Sequence, residues 1–273
     1  MKDYIIRTTE AFPMEQHTSA PAVEQVAQVA RLAARLVLES GGETYRAEDT
    51  ANHIAHAFGL ETDIIAFPTG LTMTLTGNGE VSSVIARVDQ TSTDLTKLEQ
   101  VNAVSRALCN GTMSLETAME ELQRIQQIRT DSILKNIVYA AGGAALFAVM
   151  FSGGLFEILV SGLAAAIIQL VLSYSPDQAG MPISSLIAGF LASVITLLLH
   201  LLVGSGDINV TIVSTLMPFL PGLALTNAIR DSMRGDLLSS GARLGQALTR
   251  AVVLAGGAGA GLWLYIAMGG AML

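Results

Sequence analysis

From Pro21 onward, Val23, Val26, Ala27, Ala30, Ala33, Ala34 and Val37 recur at three-and-four spacing, which predicts an amphipathic helix running to about Glu39 and ending at Ser40-Gly41-Gly42. A second helix is predicted from Glu43 or Tyr45 to Phe58, with Gly59 as its stop. The period then changes. ETDIIAFPTGLTMTLTG (61–77) and VSSVIARVD (81–89) are rich in β-branched residues and are separated by Gly77-Asn78-Gly79, a hairpin signal. Pro68 lies inside the first run and predicts a bulge, an edge or a break, because proline has no N–H to give to a ladder. Helical periodicity returns over about Asp94 to Cys109 and Ser114 to Ile128, with Ser114 as a weak cap. Residues 1–20 have no period and read as a flexible lead, so 21–135 reads as one α+β domain.

Beyond Lys135 the polar positions nearly vanish. Five apolar segments follow, at about 136–152, 154–174, 182–203, 208–229 and 249–271. Each approaches or exceeds the ~20 residues needed to cross ~30 Å of hydrocarbon. The expected second unit is therefore an all-α membrane domain over 136–273, made of five transmembrane helices. Its small-residue clusters, GGAGAG (256–261) and SGLAAA (161–166), read as close helix packing rather than a ligand site.

The fourth of these segments departs from the rest. It carries Pro218, Pro221 and Gly222 within five residues and then turns charged, with Asn227, Arg230 and Asp231 close behind. A freed backbone carbonyl costs several kcal/mol in hydrocarbon, so broken helix is tolerated there only where protein buries it or where it lines a wet cavity. The break predicts half-helix ends able to face an anionic group. Arg230 is expected to pair with Asp231 or Asp236 at the cytoplasmic mouth, or to engage a carboxylate in two-pronged fashion. A plain proline kink followed by a charged loop is the simpler alternative.

Charge divides the chain at the same place. Residues 1–135 hold eleven Lys or Arg and eighteen acids, whereas 136–273 hold four and five. The mean hydropathy of +0.52 thus averages an acidic domain with an apolar one. No basic footprint for nucleic acid is present. Of the four basic residues of the second half, Arg230, Arg234 and Arg243 lie between the fourth and fifth segments and Arg250 at the start of the fifth, on the same side as the first domain, which the positive-inside rule makes cytoplasmic; the C-terminus is then expected outside. Cys109 is alone, which fits a reducing compartment and excludes cysteine metal sites and disulfides. The N-terminal MKDYIIRTTEAFP has no apolar core of signal-peptide length.

Candidate chemistry in the first domain centres on Ser40 to Thr50. Glu43 and Arg46 share a helix face with Thr50, while Glu48 and Asp49 lean away. A capped, charged helix start is the plain reading. A sharper one joins Glu43, Arg46, Glu48 and Asp49 with Arg87, Asp89, Asn102 and Arg106 in a polar network or a small-anion site, with Arg46 pairing to Asp49. Asp49, His53 and His56 line one face at metal-like spacing, but neither an HExxH motif nor a cysteine partner accompanies them, so no metal is assigned. Ser40 sits in no GxSxG elbow. No phosphate loop appears, and no cofactor is implied. Inside the apolar half, Glu157, His200 and Gln169 are the polar exceptions, with Glu157 and His200 near the outer ends of their segments.

ESGGETYRAEDT (39–50), FPTG (67–70), the Arg87/Asp89 pair, VNAVSR (101–106) and PGLALTNAIRDSMRGDLLSSGARL (221–244) together resemble the threonine/serine exporter family. The likeness covers nearly the whole chain from about residue 25. Fused members carry about ten spans, so a chain with five resembles the larger subunit of the split, two-component form. The resemblance implies export of threonine and serine in the fused form, of succinate-like dicarboxylates in the split form, and a smaller membrane subunit carrying the remaining spans. The expected function is a secondary exporter subunit in the bacterial inner membrane, in contact with lipid and able to form a higher oligomer, with Pro218, Pro221, Gly222, Asn227, Arg230 and Asp231 on the substrate path. Two other classes compete with this expectation: a membrane-anchored hydrolase or transferase using Glu43, Asp49 and His53, and a membrane scaffold.

Overall fold

The computed structural model describes residues 22–89, 91–128, 132–174, 180–203 and 206–267. The N-terminal lead, Pro21 and the last residues of the fifth apolar segment lie outside these.

The first domain opens with α1 (Val23–Glu39), whose Val26, Ala27, Ala30, Ala33, Ala34, Leu36 and Val37 are almost wholly buried. Small residues on this helix let its neighbours approach closely. Helix α2 (Thr44–Ala57) packs beside it through Ala47, Ala51, Ile54 and Ala55. Three antiparallel strands follow in the order β1 (Glu61–Phe67), β2 (Gly70–Gly77) and β3 (Glu80–Arg87). Pro68 makes the break anticipated for it: Phe67 pairs with Gly70 across a two-residue turn, so the first β-branched run is two strands, not one. Asn78 and Gly79, both at positive φ, turn the second hairpin. Leu71, Met73 and Leu75 face the core, where each large side chain contributes about 1.5–3 kcal/mol. Helices α3 (Leu95–Cys109) and α4 (Leu115–Gln127) close the domain. Asp94 caps the first by accepting from the Lys97 N–H at 2.9 Å, and Ser114 caps the second by accepting from the Thr117 N–H at 3.2 Å.

The apolar half contributes α5 (Ile133–Met150), α6 (Leu155–Ser173), α7 (Gly180–Val203), α8 (Ile208–Leu216), α9 (Gly222–Met233) and α10 (Leu237–Ala267). Among the described residues four helices are long and apolar enough to cross a membrane, or five if the bent pair α8 and α9 is one span. The described residues are thus mostly helical, with one small sheet.

Two features of this half bear on the site. Helices α7 and α10 lie backbone to backbone: a Cβ at Gly189 would stand 2.0 Å from the Leu254 carbonyl oxygen, and one at Gly257 2.3 Å from that of Leu186. The Ser193 hydroxyl donates to the Ala258 carbonyl at 2.9 Å across the same seam. In the GGAGAG cluster, Gly257 and Gly261 therefore pack, while Gly256 and Gly259 face open space. The second feature is the start of α10. The fifth segment was expected to begin near 249, yet the helix begins at Leu237, because Asp236 accepts from the Ser239 N–H at 3.0 Å and starts a helix through residues that hydropathy assigns to a loop.

Candidate functional site

At Pro218 and Pro221 the fourth apolar segment bends by 60° between the stretch ending at Phe219 and α9. Residues Met217–Phe219 form one 3-10 turn, and Leu220 is extended. The Leu220 N–H donates to Met217 O at 3.2 Å and the Gly222 N–H to Leu220 O at 2.8 Å, so part of the backbone freed by the prolines is paired locally. Phe219 anchors the break by packing on Ala140, Ala144 and Ala165.

The bend aims α9 at the first domain. Asn227, Arg230, Asp231 and Arg234 recur at positions that share one helix face. Against that face and the start of α10 lie the loop joining α1 to α2 and the first turn of α2, where five consecutive residues, 41–45, each make a contact. Asn227 Nδ2 donates to Gly41 O at 3.0 Å, and Arg243 Nη2 donates to Gly42 O at 2.8 Å. The Arg230 guanidinium donates to the Glu43 carboxylate. The Thr44 hydroxyl donates to Asp236 Oδ2 at 3.0 Å. The Arg234 guanidinium lies 3.4 Å over the centre of the Tyr45 ring, a cation–π contact.

The sequence Ser40-Gly41-Gly42-Glu43 suits this task. Gly41 has φ of +79°, and a Cβ there would stand 2.8 Å from Ser92 O. A Cβ at Gly42 would meet the Val37 side chain at 2.7 Å. The glycines thus let the loop turn out of α1 and present bare carbonyls to Asn227 and Arg243.

Electrostatics bind the contact unevenly. Burial alone would raise the Glu43 carboxyl, but its own backbone N–H, Arg230 and Arg46 outweigh that and hold it below the ordinary range. Burial similarly opposes Asp236, yet the Ser239 hydroxyl and N–H and the Thr44 hydroxyl keep it low. Glu48 goes the other way. Burial raises it, the Ala66 N–H opposes, and the nearby charges of Asp236, Asp49 and Asp231 raise it further. Asp231 is fully buried beside Arg243, whose Nε lies 3.1 Å from its Oδ2, but the two are not aligned for a directed hydrogen bond.

The expected site residues therefore separate. Asn227, Arg230 and Glu43 meet at the domain contact, whereas Arg230 pairs with neither Asp231 nor Asp236. Arg46 pairs with Glu43 at 3.4 Å rather than with Asp49. Arg87 and Asp89 pair with one another at 2.7 Å on the surface. Asn102 is half-buried and Arg106 exposed, both on α3. Asp49, His53 and His56 are exposed, and His53 Nδ1 lies 2.6 Å from Asp49 O, so the side chains of these three do not converge. Glu157 is buried and structural: it accepts from the Asp207 N–H at 2.6 Å and ties α6 to the turn before α8. His200 stands edge-on to Phe156, with ring centroids 6.4 Å apart. Sequence reasoning missed Thr44, Tyr45, Arg234 and Arg243 as partners. The helical spacing of Asn227, Arg230 and Arg234 was the available signal for α9, and the polar run from Ser40 to Thr50 that for the loop, but nothing local tied the one to the other.

No curated protein and no solved structure matches the chain. The profile of the threonine/serine exporter family matches residues 28–265, which include both the α1–α2 loop and the α9–α10 face, and the chain belongs to that family.

Proposed function

We propose that this protein is the larger subunit of a secondary exporter of small carboxylates, threonine and serine or a succinate-like dicarboxylate, working from the cytoplasm across the bacterial inner membrane with a smaller membrane subunit. The observation that carries this reading is Arg230. It stands near the end of the helix that follows the 60° proline break, keeps about half of its side chain exposed, and already holds a carboxylate. A guanidinium matches a carboxylate in charge and in fork geometry, so the same group can collect a free one. The positive-inside bias of the sequence supports a cytoplasmic position for this end of α9 and the first domain, where an exporter would meet its cargo.

The smaller subunit is supported by the exposed apolar surface. Within the chain only 17% of the apolar window of α5 and 22% of that of α10 is buried, leaving faces for lipid and for further spans. Energy would come from an ion gradient, since the sequence holds no phosphate-binding loop.

The test is efflux of labelled threonine and labelled succinate from preloaded cells, with and without a co-expressed small subunit. Accumulation outside that requires both chains supports the reading, and Arg230→Ala should reduce it at least tenfold, the loss of roughly one charge-assisted contact. Wild-type efflux from a correctly inserted Arg230→Ala protein would remove Arg230 from the path.

A further inference from the structure

Resting on the reading that Arg230 receives the cargo carboxylate, we infer that Glu43 is a resident competitor for that site, and that the α1–α2 loop is a latch which cargo must displace. Glu43 is 4% exposed, while its partner Arg230 remains half-exposed, so the carboxylate is held from the domain side and the cation is reachable from solvent. The loop occupies the donors of this face in register. Gly41 O takes Asn227, Gly42 O takes Arg243, and the Glu43 carboxylate takes Arg230. One acceptor, Asp236, is taken by the Thr44 hydroxyl, and the Arg234 cation is covered by the Tyr45 ring. Asn227, Arg230, Arg234, Asp236 and Arg243 are thus engaged by five adjacent residues of the other domain.

Such a contact is suited to release. Its links are polar groups that water or a small acid can replace, apart from the ring of Tyr45 in the first turn of α2. Glu43 also has a second cation, since Arg46 lies 3.4 Å away, so its carboxylate keeps a partner when Arg230 is surrendered. Arg46 is on α2 and would travel with it. A protein whose binding-competent state is only partly populated binds its ligand more weakly by that fraction, so an intact latch raises the cargo concentration needed for export.

The experiment uses the full chain in vesicles with its small subunit and two probes, labelled threonine and labelled succinate. Glu43→Gln keeps shape and hydrogen bonding but removes the competing charge. It should lower the apparent KM for the exported acid roughly fivefold or more. An unchanged or raised KM overturns the latch. A second arm leaves Glu43 in place: with Cys109→Ser, cysteines at Thr44 and Asp236 are joined by a short bismaleimide. Saturating transported acid should cut the cross-linking rate at least threefold, whereas its amide, which lacks the carboxylate charge, should not. A rate indifferent to the transported acid overturns the latch even where Glu43→Gln fails to insert. If Arg230→Ala abolishes export while both arms show no competition, only the latch falls. If Arg230→Ala exports at the wild-type rate, the cargo site and the latch fall together.

Discussion

Arg243 reaches across two boundaries at once: its Nη2 donates to Gly42 O at 2.8 Å, and its Nε lies 3.1 Å from Asp231 Oδ2. One buried side chain on α10 therefore holds α9 by charge and the α1–α2 loop by a hydrogen bond. Asp231 has no well-directed donor of its own, so Arg243 is what makes its burial tolerable.

Arg243→Ala should consequently be among the most damaging substitutions in the chain. It leaves a buried carboxylate without a counter-charge, at a cost of about 3–5 kcal/mol. Replacing both partners with Asp231→Leu and Arg243→Met should recover most of that loss, because no orphan charge remains. Thermal unfolding in detergent compares the two, and a double variant as unstable as the single one would refute the account.

The two loop glycines should not tolerate a methyl group. Gly41→Ala meets both a left-handed backbone and the Ser92 carbonyl, and Gly42→Ala meets Val37; each should cost ~1–3 kcal/mol. Gly59 also has positive φ, at +71°, but nothing stands within 4 Å of its Cβ position. Gly59→Ala should therefore cost only about 1 kcal/mol. Chemical denaturation of the three variants side by side gives the order.

Glu43 and Glu48 should show opposite pH behaviour. The folded Glu43 carboxyl is held below its ordinary value of 4.5, so its contribution is fully present above that pH and is lost as pH falls through the depressed value. Glu48 is raised, so its ionisation opposes folding above the raised value, and the penalty disappears below 4.5. Glu48→Gln still offers an oxygen to the Ala66 N–H. It should raise the melting temperature at neutral pH, with the gain fading on acidification, whereas Glu43→Gln should lower it. Melting curves from pH 2.5 to 8 read both signs.

In the membrane half, Gly257→Leu should force α7 and α10 apart, while Gly256→Leu, one residue away, should be silent within the chain. Cysteine cross-linking between the two helices, at positions flanking Ser193 and Ala258, would report the separation. Equal effects from both substitutions would contradict the seam.

The order of the elements was readable in the sequence because it depends on neighbours. The face of α1, the turn at Asn78-Gly79 and the caps at Asp94 and Ser114 are all local patterns, and so is the family-specific run from Pro221 to Leu244. Boundaries failed where local signals conflicted. The polar residues before 249 read as a loop, but a cap at Asp236 and burial of Ser239, Arg243 and Ala247 make them helix.

Partners were a different matter. Sequence proximity suggested Asp231 or Asp236 for Arg230 and Asp49 for Arg46, and the structure joins both arginines to Glu43, one of them from 187 positions away. No periodicity encodes a contact across that distance. The sequence by itself determined the order of the elements, the apolar character of the later helices and a proline break ahead of a charged run. Only the tertiary structure decided which charges meet, because the 60° bend of α9 and the glycine turn after α1 must both form before Glu43 and Arg230 can come together.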